Sequence, residues 1–374
     1  MLRTAFKFII YDKPKSIGAL AGIIISIFLI GQQAGIFIFL TNAMASLVNN
    51  NSQYIWVVDE KTSNVNALNS LDMRIARQIQ SIPGVKQVNP IVIAGAAAKF
   101  ENGQASGITL IGAVAPAFRG GPWNMFIGDK ASMVEEGALI TEYFDRKTLG
   151  GAVPGDYFEI NGKKAFICGN TRGVRGFGAG AYAFTTIERA RAWTNFDRNK
   201  ASAFLVEWEE GAEPAEIIRR INVSINGVHA WNSHDFATST IITVLKTSGI
   251  ALSFGTLIVF ALISGFIIIG LTLYSAAIDR IRDYGTLKAI GATNGYVRNL
   301  ILTQATMFSI LGFIVGYALV EGFRAGVGSA GTIFSFPLWV KFGLFGITLV
   351  IALGGSWFAV SRISKLEPAA VFRG

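Results

Sequence analysis

The sequence predicts a membrane α-helical fold of four transmembrane helices, with a large extracytoplasmic mixed α/β domain inserted between the first and second spans. Three observations predict it. Of 374 residues 51% are apolar and only 15% charged, which is apolar for a water-soluble chain. Four long stretches carry no charge at all: 16–58, 247–278, 299–320 and 342–361. The basic excess of nine lies beside those stretches, because the region from Thr41 to Leu245 holds as many Asp and Glu as Lys and Arg.

A span needs about 20 apolar residues, since the hydrocarbon core is roughly 30 Å thick and a helix rises about 1.5 Å per residue. Each stretch meets that length, and no proline interrupts its apolar part. The first follows Arg3, Lys7, Lys13 and Lys15 and precedes Ala43-Met44-Ala45, like a secretory signal; its apolar run is too long for one, so it reads as a retained span. Lys and Arg gather at the N-terminus, in 279–298 (Arg280, Arg282, Lys288, Arg298) and in the tail (Arg362, Lys365, Arg373). The rule that basic loops stay inside then places both termini and that loop in the cytoplasm of an inner (plasma) membrane.

The chain divides accordingly. Residues 1–15 form a cytoplasmic interfacial helix resting on membrane lipid, with Leu2, Ala5, Phe6 and Ile9 on one face and Pro14 at its end. The first span and its stalk follow (16–48), then the extracytoplasmic domain (49–235), a stalk with the second span (236–278) and a cytoplasmic loop (279–298). The third span (299–321), a short outer connection (322–340), the fourth span (341–361) and a cytoplasmic tail (362–374) complete it. In the first span, Gly31, Gln32, Gln33 and Gly35 combine small residues with amides, a pattern for close helix packing.

In the outer region the periodicity shortens and turn residues multiply. Strands are expected at 55–58, 88–94, 108–114, 157–161, 165–169 and 203–207, and helices at 72–82, 186–193 and 214–222. Asn161-Gly162 is a two-residue hairpin turn. Nothing there forms a catalytic centre. Gly176 to Gly180 lacks the strand-to-helix context of a phosphate loop and reads as a mobile loop after Arg172 and Arg175. His229 and His234 lack metal-ligand spacing, so no metal is expected. Glu207, Glu209, Glu210, Glu213 and Glu216 read as a solvated face, and Cys168, the lone cysteine, as a small buried hydrophobe. The neutral outer domain also excludes a nucleic-acid footprint.

The segment from Ala276 to Thr293 carries the most information. It leaves the second span as a short amphipathic helix and turns back through Gly291 and Gly295. Here the chain resembles the permease subunits of MacB/FtsX-type ABC transporters, whose loop reads Arg-Glu-Ile-Gly, three variable residues, then Ala-Leu-Gly-Ala. Arg282-Asp283-Tyr284-Gly285 and Ala289-Ile290-Gly291-Ala292 occupy those places, with Asp283 for the glutamate and Tyr284 for the aliphatic residue. The C-terminal Leu366-Glu367-Pro368-Ala369-Ala370-Val371-Phe372-Arg373 resembles the family's closing Leu-x-Pro-Ala-x-x-Leu-Arg, so Leu366, Pro368 and Arg373 mark it. Length and the single outer domain are closest to the DevC-like exporter permeases.

The resemblance implies a membrane subunit that is not itself an enzyme and binds no cofactor. A separate cytoplasmic ABC ATPase would hold ATP and magnesium, and this chain has no GxxxxGK[ST] of its own. It implies that Arg280, Arg282, Asp283, Tyr284, Gly285, Leu287, Lys288, Ile290 and Gly291 couple to that ATPase. Arg282, Asp283 and Lys288 would supply polar register there, and Tyr284, Leu287 and Ile290 apolar contact. It further implies a homodimer that works with a periplasmic adaptor (membrane fusion) protein and an outer-membrane channel. The alternatives are an FtsX-like signal transducer controlling a cell-wall hydrolase, a lipoprotein-extracting permease, and a membrane sensor without an ATPase.

Overall fold

The computed structural model describes residues 13–178 and 180–364, side chains at 15 and 362–364 excepted. The expected interfacial helix before Lys13, and Leu366, Pro368 and Arg373, lie outside the described residues. The chain falls into two units: residues up to Ile38 together with those from Ile250 onward, and Phe39–Gly249. In chain order the helices are α1 (Lys13–Met44), α2 (Ser46–Asn49), α3 (Arg74–Gln80), α4 (Ile187–Thr194), α5 (Pro214–Ser224) and α6 (Ser233–Ser248). They continue with α7 (Ile250–Asp279), α8 (Ile281–Ala289), α9 (Asn294–Gly328) and α10 (Leu338–Ser364).

Among the described residues four helices are long and apolar enough to cross a membrane: Ser16–Met44, Ile250–Asp279, Asn294–Gly328 and Leu338–Ser361. The mixed α/β domain lies between the first and second of them, as the sequence predicts. Between lipid-soluble helices there is little hydrophobic drive, so close approach at small residues does the packing. A methyl group on Gly312 of α9 would stand 2.4 Å from Ile23 of α1, and one on Gly265 of α7 would stand 2.4 Å from Ser26. The outward side is apolar too: Leu252, Phe260, Leu271 and Trp357 are all more than 60% exposed, as a hydrocarbon-facing surface requires. The third helix runs on to Gly328, past the expected end at 321. Nothing between Val320 and Gly328 breaks it, and Glu321 accepts from Tyr317 and Arg324, each at 2.5 Å, one turn to either side.

The outer unit is built on one long strand. The strands are β1 (Ile55–Asp59), β2 (Leu71–Asp72), β3 (Val85–Lys99), β4 (Ala105–Ala113), β5 (Met125–Ile127) and β6 (Ala138–Glu142). Next come β7 (Tyr157–Ile160), β8 (Lys163–Thr171), β9 (Ala181–Thr186), β10 (Lys200–Ala201), β11 (Ala203–Trp208) and β12 (Val228–Trp231). The first half of β3 completes a sheet of order β12-β1-β11-β3. On one face Ile55, Val57, Phe204 and Val206 pack with Ile79 of α3 and Ile217 and Ile221 of α5. On the other, Trp56, Val58 and Leu205 pack with Leu47, Val48 and Phe236. This is the alternation that a two-sided sheet with helices demands.

The second half of β3 belongs to a ring. It pairs in turn through β4, β9, β6 and β8, and β7 joins β8 back to β3. Closure leaves fewer open edges. Ile108, Leu110, Leu139, Phe158, Ile160, Ala165, Ile167 and Ala183 fill the ring from its several strands. Asn161 and Gly162, at φ 47° and 76°, make the expected tight turn between Ile160 and Lys163. β6 and β9 are buried at every position.

Candidate functional site

The segment after the second span folds as α8, and the local sequence dictates its ends. Asp283 lies in its first turn and Lys288 in its last, the charge order that complements the helix dipole. At its C-terminus Gly291 takes φ +105°, its N–H donating to Lys288 O at 3.0 Å while Ala292 N–H donates to Leu287 O at 2.9 Å. This pair of bonds is a Schellman cap, which glycine accommodates because it has no Cβ. Two residues on, the Thr293 side chain accepts from Tyr296 N at 3.2 Å and starts α9. The join between α8 and α9 is thus short and hydrogen-bonded throughout.

The exposed positions of α8 are Arg282, Asp283, Thr286 and Ala289, and beyond its end Ile290 is 80% exposed. Arg280, Leu287 and Lys288 are half-buried, Gly285 is buried and Gly291 exposed. Tyr284 faces inward, at 2% exposed. Burial lifts its hydroxyl to about 12, against the pull of Gln304 and Arg280. Burial also lowers the Lys288 ammonium below its usual value. Tyr284, expected to offer apolar contact to an ATPase, is thus buried within its own chain. At 100° per residue, the exposed Arg282 and Asp283 put Tyr284 on the inward side, where it is buried. Thr286, which the sequence reading passed over, belongs to the outward face; polarity one turn after Arg282 is the signal that marks it.

Gly31 is buried beside Val320, and Gly35 beside Phe334 and Phe336; Gln32 and Gln33 are half-buried on the same helix. These residues lie among the packed membrane helices, away from any cluster of polar groups near α8.

The outer unit's remaining features are structural. Glu142, at the end of β6, is 1% exposed and accepts from Thr171 Oγ1 at 2.7 Å, Gly173 N at 2.7 Å, Val174 N at 2.9 Å and Phe144 N at 3.4 Å. Burial raises its carboxyl above the usual glutamate range, with those donors opposing. Asp145 pairs with Arg175 at 3.0 Å. Two buried carboxylates therefore hold residues 173–175, just before the Gly176–Gly180 segment read as a mobile loop. Arg189 donates to the carbonyls of Met133, Ala138 and Glu135 at 2.8, 2.6 and 2.7 Å, tying down the 133–138 turn. Glu207 departs from a solvated face, since it pairs with Arg119 and is half-buried. The His229 ring lies tilted against Trp231, ring centres 4.5 Å apart. Among the described residues no group of three or more His, Cys, Asp and Glu gathers.

Residues 255–368 match the family model described as FtsX-like permease C-terminal. No curated protein matches the chain. Among solved structures, the extracellular domain of the noncanonic ABC-type transporter YknZ from Gram-positive bacteria is similar at 15% identity and TM-score 0.34, covering 48% of this chain and 99% of that one. The periplasmic region of MacB from Actinobacillus actinomycetemcomitans is similar at 8% identity and TM-score 0.36, covering 54% and 98%. A domain of a permease protein from Porphyromonas gingivalis is similar at 14% identity and TM-score 0.34, covering 48% and 89%. The matched residues take in most of α7, all of α8 and α9, and α10, so this part of the chain is similar to the C-terminal domain of FtsX-like permeases.

Proposed function

We propose that this chain is the permease subunit of an ABC transporter that carries ATP-driven movement from a cytoplasmic ATPase to its outer domain. In this reading it acts as a homodimer, in export with a periplasmic adaptor and an outer-membrane channel, with both termini in the cytoplasm. The observation that carries it is the FtsX-like match over 255–368, which includes the amphipathic helix α8. The water-facing set of Arg282, Asp283, Thr286 and Ile290 suits a small interface with polar register and one apolar anchor. ATP and magnesium belong to the partner, because the sequence has no Walker A motif. The capped, hydrogen-bonded turn into α9 passes displacement on without slack.

Pull-down of the intact protein tests this. The parent chain retains an ABC ATPase, whereas Asp283→Arg and Ile290→Asp, both at exposed positions, release it. A parent chain that holds no ATPase refutes the reading. An adaptor retained alongside the ATPase supports export; activation of a cell-wall hydrolase in its place refutes the export part.

A further inference from the structure

We propose that a patch of arginine and aromatic side chains around the end of β8 is a docking surface for an acidic, extended segment of another protein. Six residues make it: Phe126 and Ile127 of β5, Tyr143, Phe144 and Arg146 of the short 3-10 helix Tyr143–Lys147, and Arg172 directly after β8. The sheet brings them together. β5 pairs with β8 so that Met125 stands opposite Thr171, and on the other side of β8 the last residue of β6, Glu142, stands opposite Thr171 as well. The 3-10 helix starts from Glu142, whose side chain accepts from Phe144 N. Three separate segments thus meet beside Arg172.

The Arg172 guanidinium lies 4.9 Å from the centre of the Phe126 ring, 5.5 Å from Phe144 and 5.9 Å from Tyr143, and that of Arg146 lies 5.5 Å from Tyr143. The rings themselves meet edge to face, Phe126 with Tyr143 at 5.1 Å and Tyr143 with Phe144 at 5.4 Å between centres. This group is not core. Phe126 is 46% and Ile127 41% exposed, and both arginines are exposed. Apolar side chains scattered singly in water are ordinary, whereas contiguous ones mark a contact surface. Arg, Tyr and Phe are also the residues that anchor protein interfaces.

Charge identifies the partner. Among the described residues Arg146 and Arg172 enter no ion pair, and Lys147 adds a third exposed cation. The carboxylates of the same turn are buried and engaged, Glu142 by Thr171, Gly173 and Val174, and Asp145 by Arg175. A guanidinium resting on a ring keeps its edge of N–H donors for the fork of an Asp or Glu carboxylate. The rings then accept the apolar side chains beside it. An anionic membrane would satisfy the same charge, but β5 favours a polypeptide. It is the last strand of its sheet, so its outer edge offers main-chain groups to which an extended segment adds and of which lipid headgroups make no use.

The test uses the full chain in neutral phosphatidylcholine nanodiscs and a fluorescein-labelled peptide alternating Glu with Leu, beside the same peptide with Gln for Glu. By fluorescence anisotropy the acidic peptide is expected to bind at least about tenfold more tightly than its Gln counterpart, and less tightly as salt rises. Arg172→Gln and Phe126→Ser are each expected to lose about tenfold in affinity, the size of an interface hot spot, at the parent's melting temperature because both side chains are exposed. Equal binding of the two peptides, or parent affinity in either variant, overturns the proposal. Phosphatidylglycerol vesicles held by the parent and released by Arg172→Gln would overturn it in favour of a membrane surface. Disulfide linkage of two chains through Ile127→Cys in a Cys168→Ser background would overturn it in favour of a second copy. No ATPase enters the experiment, so its result is separate from the transmission reading above.

Discussion

Replacing Glu142 by Gln tests whether one buried carboxylate organises the rim of the outer ring. Its two oxygens accept from the hydroxyl of Thr171 and the amides of Gly173, Val174 and Phe144. Glutamine keeps one accepting oxygen and turns the other into an NH2 group. The less costly orientation puts that group where Oε2 was, because the Thr171 hydroxyl can rotate and accept. Val174 N–H then faces another donor at a fully buried site. One stranded amide costs about 1–3 kcal/mol, and the bond to Gly173 loses its charge assistance. Relief of a buried charge offsets part of this, leaving a net loss of about 2 kcal/mol. For a unit of this size that lowers the melting temperature by about 4–8 °C. Tryptophan fluorescence of the full chain in detergent reads the melt, and hydrogen exchange at Gly173 and Val174 localises it. The raised carboxyl value adds a sign. Stability linked to it is full below the ordinary glutamate value and is lost as pH rises through the raised value; Glu142→Gln lacks that slope. An unchanged melt with unchanged exchange at Gly173 and Val174 would refute the reasoning.

Arg189→Met removes the donor of three short bonds to the 133–138 turn; a loss of about 2–4 kcal/mol is expected, read by the same melt, and Lys restores little of it because it lacks the planar fork. Gly112→Val places a Cβ 2.5 Å from Ala190 and 3.0 Å from the Ile187 backbone, so α4 must shift at a cost of about 1–3 kcal/mol; a melt equal to the parent's would contradict this contact. Glu216, held down to about 2 first by Arg219 and then by Arg220, helps α5 above the ordinary glutamate value, and the help is lost as pH falls through about 2. Glu216→Gln removes that acid-side loss, and high salt shrinks it in the parent, both readable by circular dichroism.

The membrane fold was legible because its signal is cumulative: four charge-free runs and a one-sided distribution of Lys and Arg need no tertiary knowledge. In the outer unit, strands that alternate or end at clear turns, such as Ile55–Asp59 and Ala203–Trp208, were found within a few residues. β6 and β9 were not. Ala-Leu-Ile-Thr-Glu and Ala-Tyr-Ala-Phe-Thr-Thr are buried along their whole length, so they show no period of two, and a short apolar run does not announce a strand. The ring was hidden for another reason. It depends on β7 pairing with both β3 and β8, a register set across more than fifty residues. Glu142 was passed over because an acidic residue after an apolar run looks like an exposed end until the Gly173–Val174 turn folds over it. In α8 the amphipathic period was visible, but not which protein covers its apolar side. Tyr284 is buried within its own chain, and only the three-dimensional arrangement assigns it there.

The proposed function requires α8 and the outer domain to lie on opposite sides of one membrane. Single cysteines at Ile290 and at Val134, which is 59% exposed in the outer unit, placed in a Cys168→Ser background, test it with a membrane-impermeant maleimide. Val134→Cys is expected to be labelled once the outer space is open and the inner membrane still sealed, and Ile290→Cys only after that membrane is breached. Labelling of both in sealed inner-membrane preparations would contradict it, because a cytoplasmic ATPase could then have no hold on this chain.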